Sequence, residues 1–283
     1  MSAGTKIQWC DATVNFWWGC AKVSDGCRYC YAEGIARRLS RGTATWGENG
    51  LRRLRVGEAT RELLQLNKRA ERQRRTLRVF INSMSDTFEN RRDLDAARHV
   101  LWAVARVVPA LDLLLLTKRP ENVRHLVDPE WMAGKWPANV WLGTTVENQA
   151  AADERIPHLL AVPAPVRWLS CEPLLGPVDI RAGDARPPGM RGYFDWVVAG
   201  GESGQQARPC KLDWLRSLRN QCDQAGVPFF LKQLGRRPCD IARPVGMCPR
   251  KLDWLCLRDS HGGDPMEWPA LLRVRQFPVR QTA

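Results

Sequence analysis

Histidine is scarce in this 283-residue chain: His99, His125, His158 and His261 are scattered along it, and no two stand four apart. A metal site built on two histidines one helical turn apart is therefore excluded. Long apolar runs are missing as well. The longest, Leu113 to Leu116 with its flanks, falls far short of the roughly 20 residues a membrane-spanning helix needs. The opening MSAGTKIQW carries no apolar stretch of the secretory kind. No repeat, low-complexity tract or long linker interrupts the chain. Acidic residues are outnumbered: 30 Asp and Glu stand against 43 Lys and Arg, a net charge of +13 and a sequence pI near 9.7. The expectation is a soluble, cytoplasmic protein with no membrane partner, long enough to bury one large α/β core or two small ones.

Cysteine, by contrast, is plentiful. Ten residues without a paired secretory pattern point to a reducing compartment and to metal-binding or catalytic thiols. Three of them, Cys20, Cys27 and Cys30, stand in the run GCAKVSDGCRYCYAE with the spacing C-x6-C-x2-C. The stretch that follows, YAEGIARRL, reads as the start of a helix. Gly19 and Gly26 each precede a cysteine and let the backbone turn tightly. Three thiolates this close can hold three irons of a 4Fe–4S cube and leave the fourth iron open. An iron with an open position binds and activates a small molecule, whereas a closed zinc site only holds structure. Zinc is the alternative, and it needs a fourth ligand, for which Cys10 is the candidate. Three unligated buried cysteines fit poorly in so polar and glycine-rich a segment. Cys239, Cys248 and Cys256 are widely spaced in an irregular region and read as ordinary thiols.

Short apolar runs alternate with amphipathic stretches along the chain. The runs are IQWCDATVNFWWGC and those at 76–88, 111–120, 139–149, 166–177, 195–204 and 227–235. Helical patterns occupy 57–75, 91–107, 121–134, 148–161 and 211–225. Continuous apolar strands separated by helices predict a parallel sheet with both faces covered. The strands end in polar clusters (SMSD, TKRP, TTVEN, SCEP, GGESG, KQ), as in barrels that place their chemistry at the C-terminal strand ends. The expected fold is α/β, a partial (β/α)6-type barrel over 1–235. The proline-broken segment 236–283 is expected to pack on it as an irregular extension.

Further candidates lie at those strand ends. Gly200 and Gly201 of GGESG free the backbone to approach a ligand, and Glu202 offers a carboxylate to an amino group or ribose hydroxyl. Lys118, Arg119, Glu147, Asn148, Glu172, Lys232 and Gln233 end further strands; they either pair with one another or bind a charged ligand. Basic residues concentrate at Arg52–Arg55, Lys68–Arg78 and Arg91–Arg92. That density predicts a basic rim beside the cysteine loop and a DNA or RNA partner, against the plainer account of a solvated helix face. The tryptophans read as core packing, with Trp17 and Trp18 placed to stack on a base or cofactor.

The segments IQWCDATVN, GCAKVSDGCRYCYAE, VFINSMSDTF, LLTKRPENV, VWLGTTVEN, RWLSCEPLLGP, DWVVAGGESG and PFFLKQLG resemble, in order, a phage- and bacterium-borne three-Cys-motif family of unknown function near the radical S-adenosylmethionine (SAM) enzymes. The resemblance implies a 4Fe–4S cluster on Cys20, Cys27 and Cys30, with SAM at the open iron. It also implies an electron donor and a radical reaction on substrate. Tyr29 corresponds to the aromatic residue that packs beside the SAM adenine in that superfamily. Thr144, Glu147, Gly200, Gly201 and Glu202 would hold the rest of the cofactor. The sequence departs from the superfamily's C-x3-C-x2-C by three residues in the first gap. It also has Cys10 and Phe16-Trp17-Trp18 where the family more often has Thr and smaller residues. The second reading, from another class, is a zinc-stabilised nucleic-acid-binding protein without catalysis.

Overall fold

The computed structural model describes residues 5, 7–39, 44–180, 194–240 and 255–278. Seven parallel strands are the frame: β1 (Ala12–Val14), β2 (Leu77–Ile81), β3 (Leu111–Thr117), β4 (Val140–Thr145), β5 (Arg167–Cys171), β6 (Trp196–Gly200) and β7 (Phe229–Gln233). Their order in the sheet is their order in the chain. Right-handed crossovers between strands that never reverse direction of addition put every connecting helix on one side, the logic of a barrel rather than a doubly wound sheet. The partial α/β barrel expected from the sequence is the fold class observed.

The chain divides into two compact units, Met1–Thr144 with Pro157–Arg167, and Thr145–Ile156 with Trp168–Ala283. In the first, β2 pairs with β1 (Ala12↔Val79) and with β3 (Leu77↔Leu111), and β3 pairs with β4 (Leu113↔Val140). Leu113, Leu114 and Leu115 are buried in succession, as a strand covered on both faces requires. Helix α1 (Tyr31–Leu39) follows the cysteine loop, and α2 (Val56–Gln73) precedes β2. Ala59, Leu63, Leu66 and Ala70 make the buried stripe of α2 at helical spacing. Helix α3 (Asp95–Ala105) then leads into β3. The helix expected over 121–134 is shorter in the structure. Its first part is one turn, α4 (Val123–Leu126), and extended Val127 separates it from a second helical turn, Trp131–Lys135, in which Gly134 has φ +96°.

In the second unit β6 pairs with β5 (Trp168↔Trp196) and with β7 (Phe229↔Val197). The helices here are the first part of α5 (Gln149–Leu160) and α6 (Leu212–Ala225). Beyond β7 the tail takes up an edge role. Leu231 N donates to Val274 O and Gln276 N to Phe229 O, both at 2.9 Å, so residues 274–276 run antiparallel along β7. That segment occupies hydrogen-bonding groups an edge strand would otherwise expose. Trp17, Trp102, Trp141, Trp168 and Trp196 are buried, as packing residues should be; Cys248 and Trp254 lie outside the described residues. No described helix is long and apolar enough to cross a membrane.

Candidate functional site

The cysteine loop leaves the C-terminal end of β1 and is tied at once to the turn after β2. Phe16 N donates to Asn82 Oδ1 at 2.8 Å, Met84 N to Asn15 Oδ1 at 2.8 Å, and Gly19 N to Met84 O at 3.1 Å. Asn82 has φ +58°, a conformation asparagine tolerates better than most residues. Gly19 has φ +111°, and a Cβ there would stand 2.2 Å from Thr45 O, so only glycine fits.

Two buried ion pairs then clamp the start of the loop. Arg52 donates from Nε and Nη2 to both oxygens of Glu89, at 2.8 and 2.6 Å, and to the carbonyls of Thr45, Gly47 and Gly50. Its side chain is wholly buried. Glu89 Oε1 also accepts from Ala21 N at 3.2 Å, and Cys20 O accepts from Gly47 N at 2.9 Å. The second pair comes from the ends of β2 and β3. Arg119 Nη1 lies 3.0 Å from Asp86 Oδ2 and 3.7 Å from Cys20 Sγ, while Nη2 donates to Ala21 O at 2.8 Å. Asp86 is itself fixed by Thr117 Oγ1 at 2.7 Å, Phe88 N at 2.9 Å and Lys118 N at 3.0 Å. Burial, with Asp86 adding to it and Arg119 opposing, pushes the Cys20 thiol up to about 12.

Cys27 closes a short 3-10 turn, Asp25–Cys27, with its N–H on Ser24 O at 2.9 Å. Cys30 immediately precedes α1. It also packs against Ala32, Ala36 and Met84. All three cysteines are free and half-buried. Among the described residues no three His, Cys, Asp or Glu side chains converge on a single-ion position. A cubane makes no such demand, because each of its cysteines binds a different iron. Three thiols on one loop are the kind of donors a 4Fe–4S cluster takes.

Cys10 is at the other end of β1. It precedes the strand, beside Asp11, which accepts from Arg78 N at the start of β2. The fourth zinc ligand proposed from sequence is thus a full strand length away from the loop.

The basic segment is corrected in two respects. Arg52 is no rim residue but the buried anchor of the loop, because Glu89 and three carbonyls claim its guanidinium. And α2 does not lie along the cysteine end: it runs away from it. Arg55 N, before α2, donates to Phe16 O after β1, whereas Arg75, after α2, pairs with Asp11 before β1. Lys68, Arg69 and Arg72 are exposed at that far end. Arg53 and Arg55 stay near the loop, with guanidinium carbons 5.5 and 5.2 Å from the ring centre of half-buried Trp18.

The remaining sequence candidates fall in both units. In the first, Tyr29 is exposed beside Arg28, and Thr144 is buried with Oγ1 donating to Thr117 O at 3.0 Å. In the second, the Glu147 carboxylate pairs with Arg155 at 2.7 Å, both buried. Glu202 accepts from Arg208 N at 2.8 Å and from its guanidinium. A Cβ on Gly201 would stand 2.4 Å from Leu234 O, so this glycine serves the packing of β6 on the end of β7. Lys232 pairs with Glu172. Of the strand-end charges, Lys232 and Glu172 thus pair with one another, whereas Arg119, Glu147 and Glu202 take their partners from elsewhere, Asp86, Arg155 and Arg208. Sequence reasoning missed Asp86 and Glu89 as partners; their signal was two carboxylates, three residues apart, directly after an apolar strand.

A family model described as protein of unknown function (DUF5131) matches residues 4–252. No curated protein matches the chain. Among solved structures, a spore photoproduct lyase mutant with bound AdoMet and dinucleoside spore photoproduct is similar at 12% identity and a TM-score of 0.45, covering 82% of this chain and 58% of the lyase. A second lyase structure, complexed with dinucleoside spore photoproduct, gives 11% and 0.45, with 78% and 63% covered. The chain thus spans less than two thirds of the lyase chains it resembles.

Proposed function

The chain belongs to that family of proteins of unknown function, DUF5131, and from this premise we propose that it is an iron–sulfur enzyme of the radical SAM type. Cys20, Cys27 and Cys30 would hold a 4Fe–4S cluster. The reading rests on one observation: three unpaired thiols on a single clamped loop at a strand's C-terminal end, with the nearest extra cysteine, Cys10, at the other end. When bound, such a cluster supplies single-electron chemistry to SAM at its open iron.

The protein's own part is to hold the pieces. Glu89 and Arg52 fix the main chain at Ala21 and around Gly47, and Gly19 permits the turn. Tyr29 is the proposed cover for the adenine. Thr144, in the same unit as the cysteine loop, is proposed to contact the remainder of SAM. An electron donor completes the system, in a reducing cytoplasm that keeps the thiols free.

The proposed substrate is DNA or RNA. Support comes from the charge of +13 and from the Trp18, Arg53 and Arg55 group beside the loop, a combination of ring and cation that suits bases and phosphates. Anaerobic reconstitution should give a brown protein with about four irons per chain. Reduced protein with SAM should make 5′-deoxyadenosine, in higher yield when nucleic acid is added. One zinc and no iron under strict anaerobiosis would sink the proposal.

A further inference from the structure

Arg119 differs from the other strand-end cations in what it faces. Its guanidinium reaches a thiol sulfur, a main-chain carbonyl of the same loop and a carboxylate at once. Nothing in that set resembles an open hand for substrate. The backbone of Arg119 is held too, with its N–H on Thr117 Oγ1 at 2.9 Å. Thr117 Oγ1 in turn donates to Asp86, so strand, carboxylate and guanidinium form one closed ring of bonds. Asp86 and Arg119 are both buried, and charges there act through a lower dielectric than in water. Among the described residues, no cation hydrogen-bonds the thiol of Cys27 or Cys30.

We infer that Arg119, braced by Asp86, is a positioning residue for Cys20: its guanidinium holds this one thiolate in place and, through its N–H on the sulfur, raises the reduction potential of the cluster that Cys20 would bind. The inference rests on the cluster reading above. A cluster on three thiolates gains negative charge on reduction, and a fixed cation at one sulfur favours the reduced form. The bond to Ala21 O adds a geometric function, since it fixes the main chain next to the ligand.

The test compares wild type, Arg119→Gln and Arg119→Lys after anaerobic reconstitution. It reads iron per chain, the midpoint potential by EPR-monitored titration with dithionite, and melting by circular dichroism. Arg119→Gln should hold less iron, and what it holds should titrate at a more negative potential. Arg119→Lys keeps the charge but not the fork, so it should recover potential while still losing iron. A folded Arg119→Gln with wild-type iron and potential overturns the inference. If Arg119→Gln does not fold, Arg119→Lys decides: iron retention equal to wild type overturns the inference, and reduced retention in a folded protein supports it. A wild type that takes up no iron overturns the cluster reading itself, and this inference with it.

Discussion

Arg52 shows how completely a partner decides what a charged residue is. In a run of basic residues it looks like a phosphate contact, yet its side chain is sealed against Glu89, 37 residues away. Removing one member of a buried, hydrogen-bonded pair strands the other charge and costs about 3–5 kcal/mol. Arg52→Gln should lose stability of that order in urea unfolding; a variant as stable as wild type would show the pair to be idle. A charge reversal at Arg52 should therefore unfold the loop rather than report on nucleic acid. Cys10 is the converse case. It extends the cysteine pattern along the sequence but stands before β1, not after it. Cys10→Ser should keep the iron of the reconstituted protein, and Cys27→Ser should lose it; equal losses would restore the zinc reading. Neither placement was legible in the sequence, because spacing along the chain does not say which end of a strand a residue occupies.

At the scale of elements the sequence was far more informative. All seven strands lie within the apolar runs, since parallel strands buried on both faces read as unbroken Val, Ile and Leu. The helices between them follow their apolar stripes, except where extended Val127 breaks the fourth after one turn. What patterning could not give was direction. An 18-residue helix spans about 27 Å, enough to carry Lys68 and Arg69 to the opposite end of the sheet from the cysteines. Double reversal of Arg53 and Arg55 to Glu should thus weaken DNA or RNA binding more than the same change at Lys68 and Arg69. Gel-shift titration at low salt measures both, and equal effects would remove the loop-side surface from the proposed function.

For the whole molecule, a charge of +13 sets the terms of any encounter with a polyanion. Binding through phosphates releases counterions, and the logarithm of affinity falls by about 0.9 per contact for each decade of salt. Nucleic-acid binding should be detectable at low salt and fall steeply as salt rises. The gain in 5′-deoxyadenosine yield should fall with it. A yield indifferent to nucleic acid at every salt concentration would leave a small-molecule or protein substrate. An arginine-rich composition of purely genomic origin predicts that outcome.

The clamp on the cysteine loop also has a meaning in time. The three thiols are made before the groups that anchor their loop: the carboxylate that holds Ala21 lies 68 residues later and the guanidinium 98 residues later. At about 5–20 residues per second, the loop spends roughly 5–20 s without its anchors. Metal captured in that interval would meet cysteines with no fixed geometry. Loading of the proposed cluster would therefore belong to a chain folded at least through β3, and whatever delivers iron and sulfide would have to recognise that state.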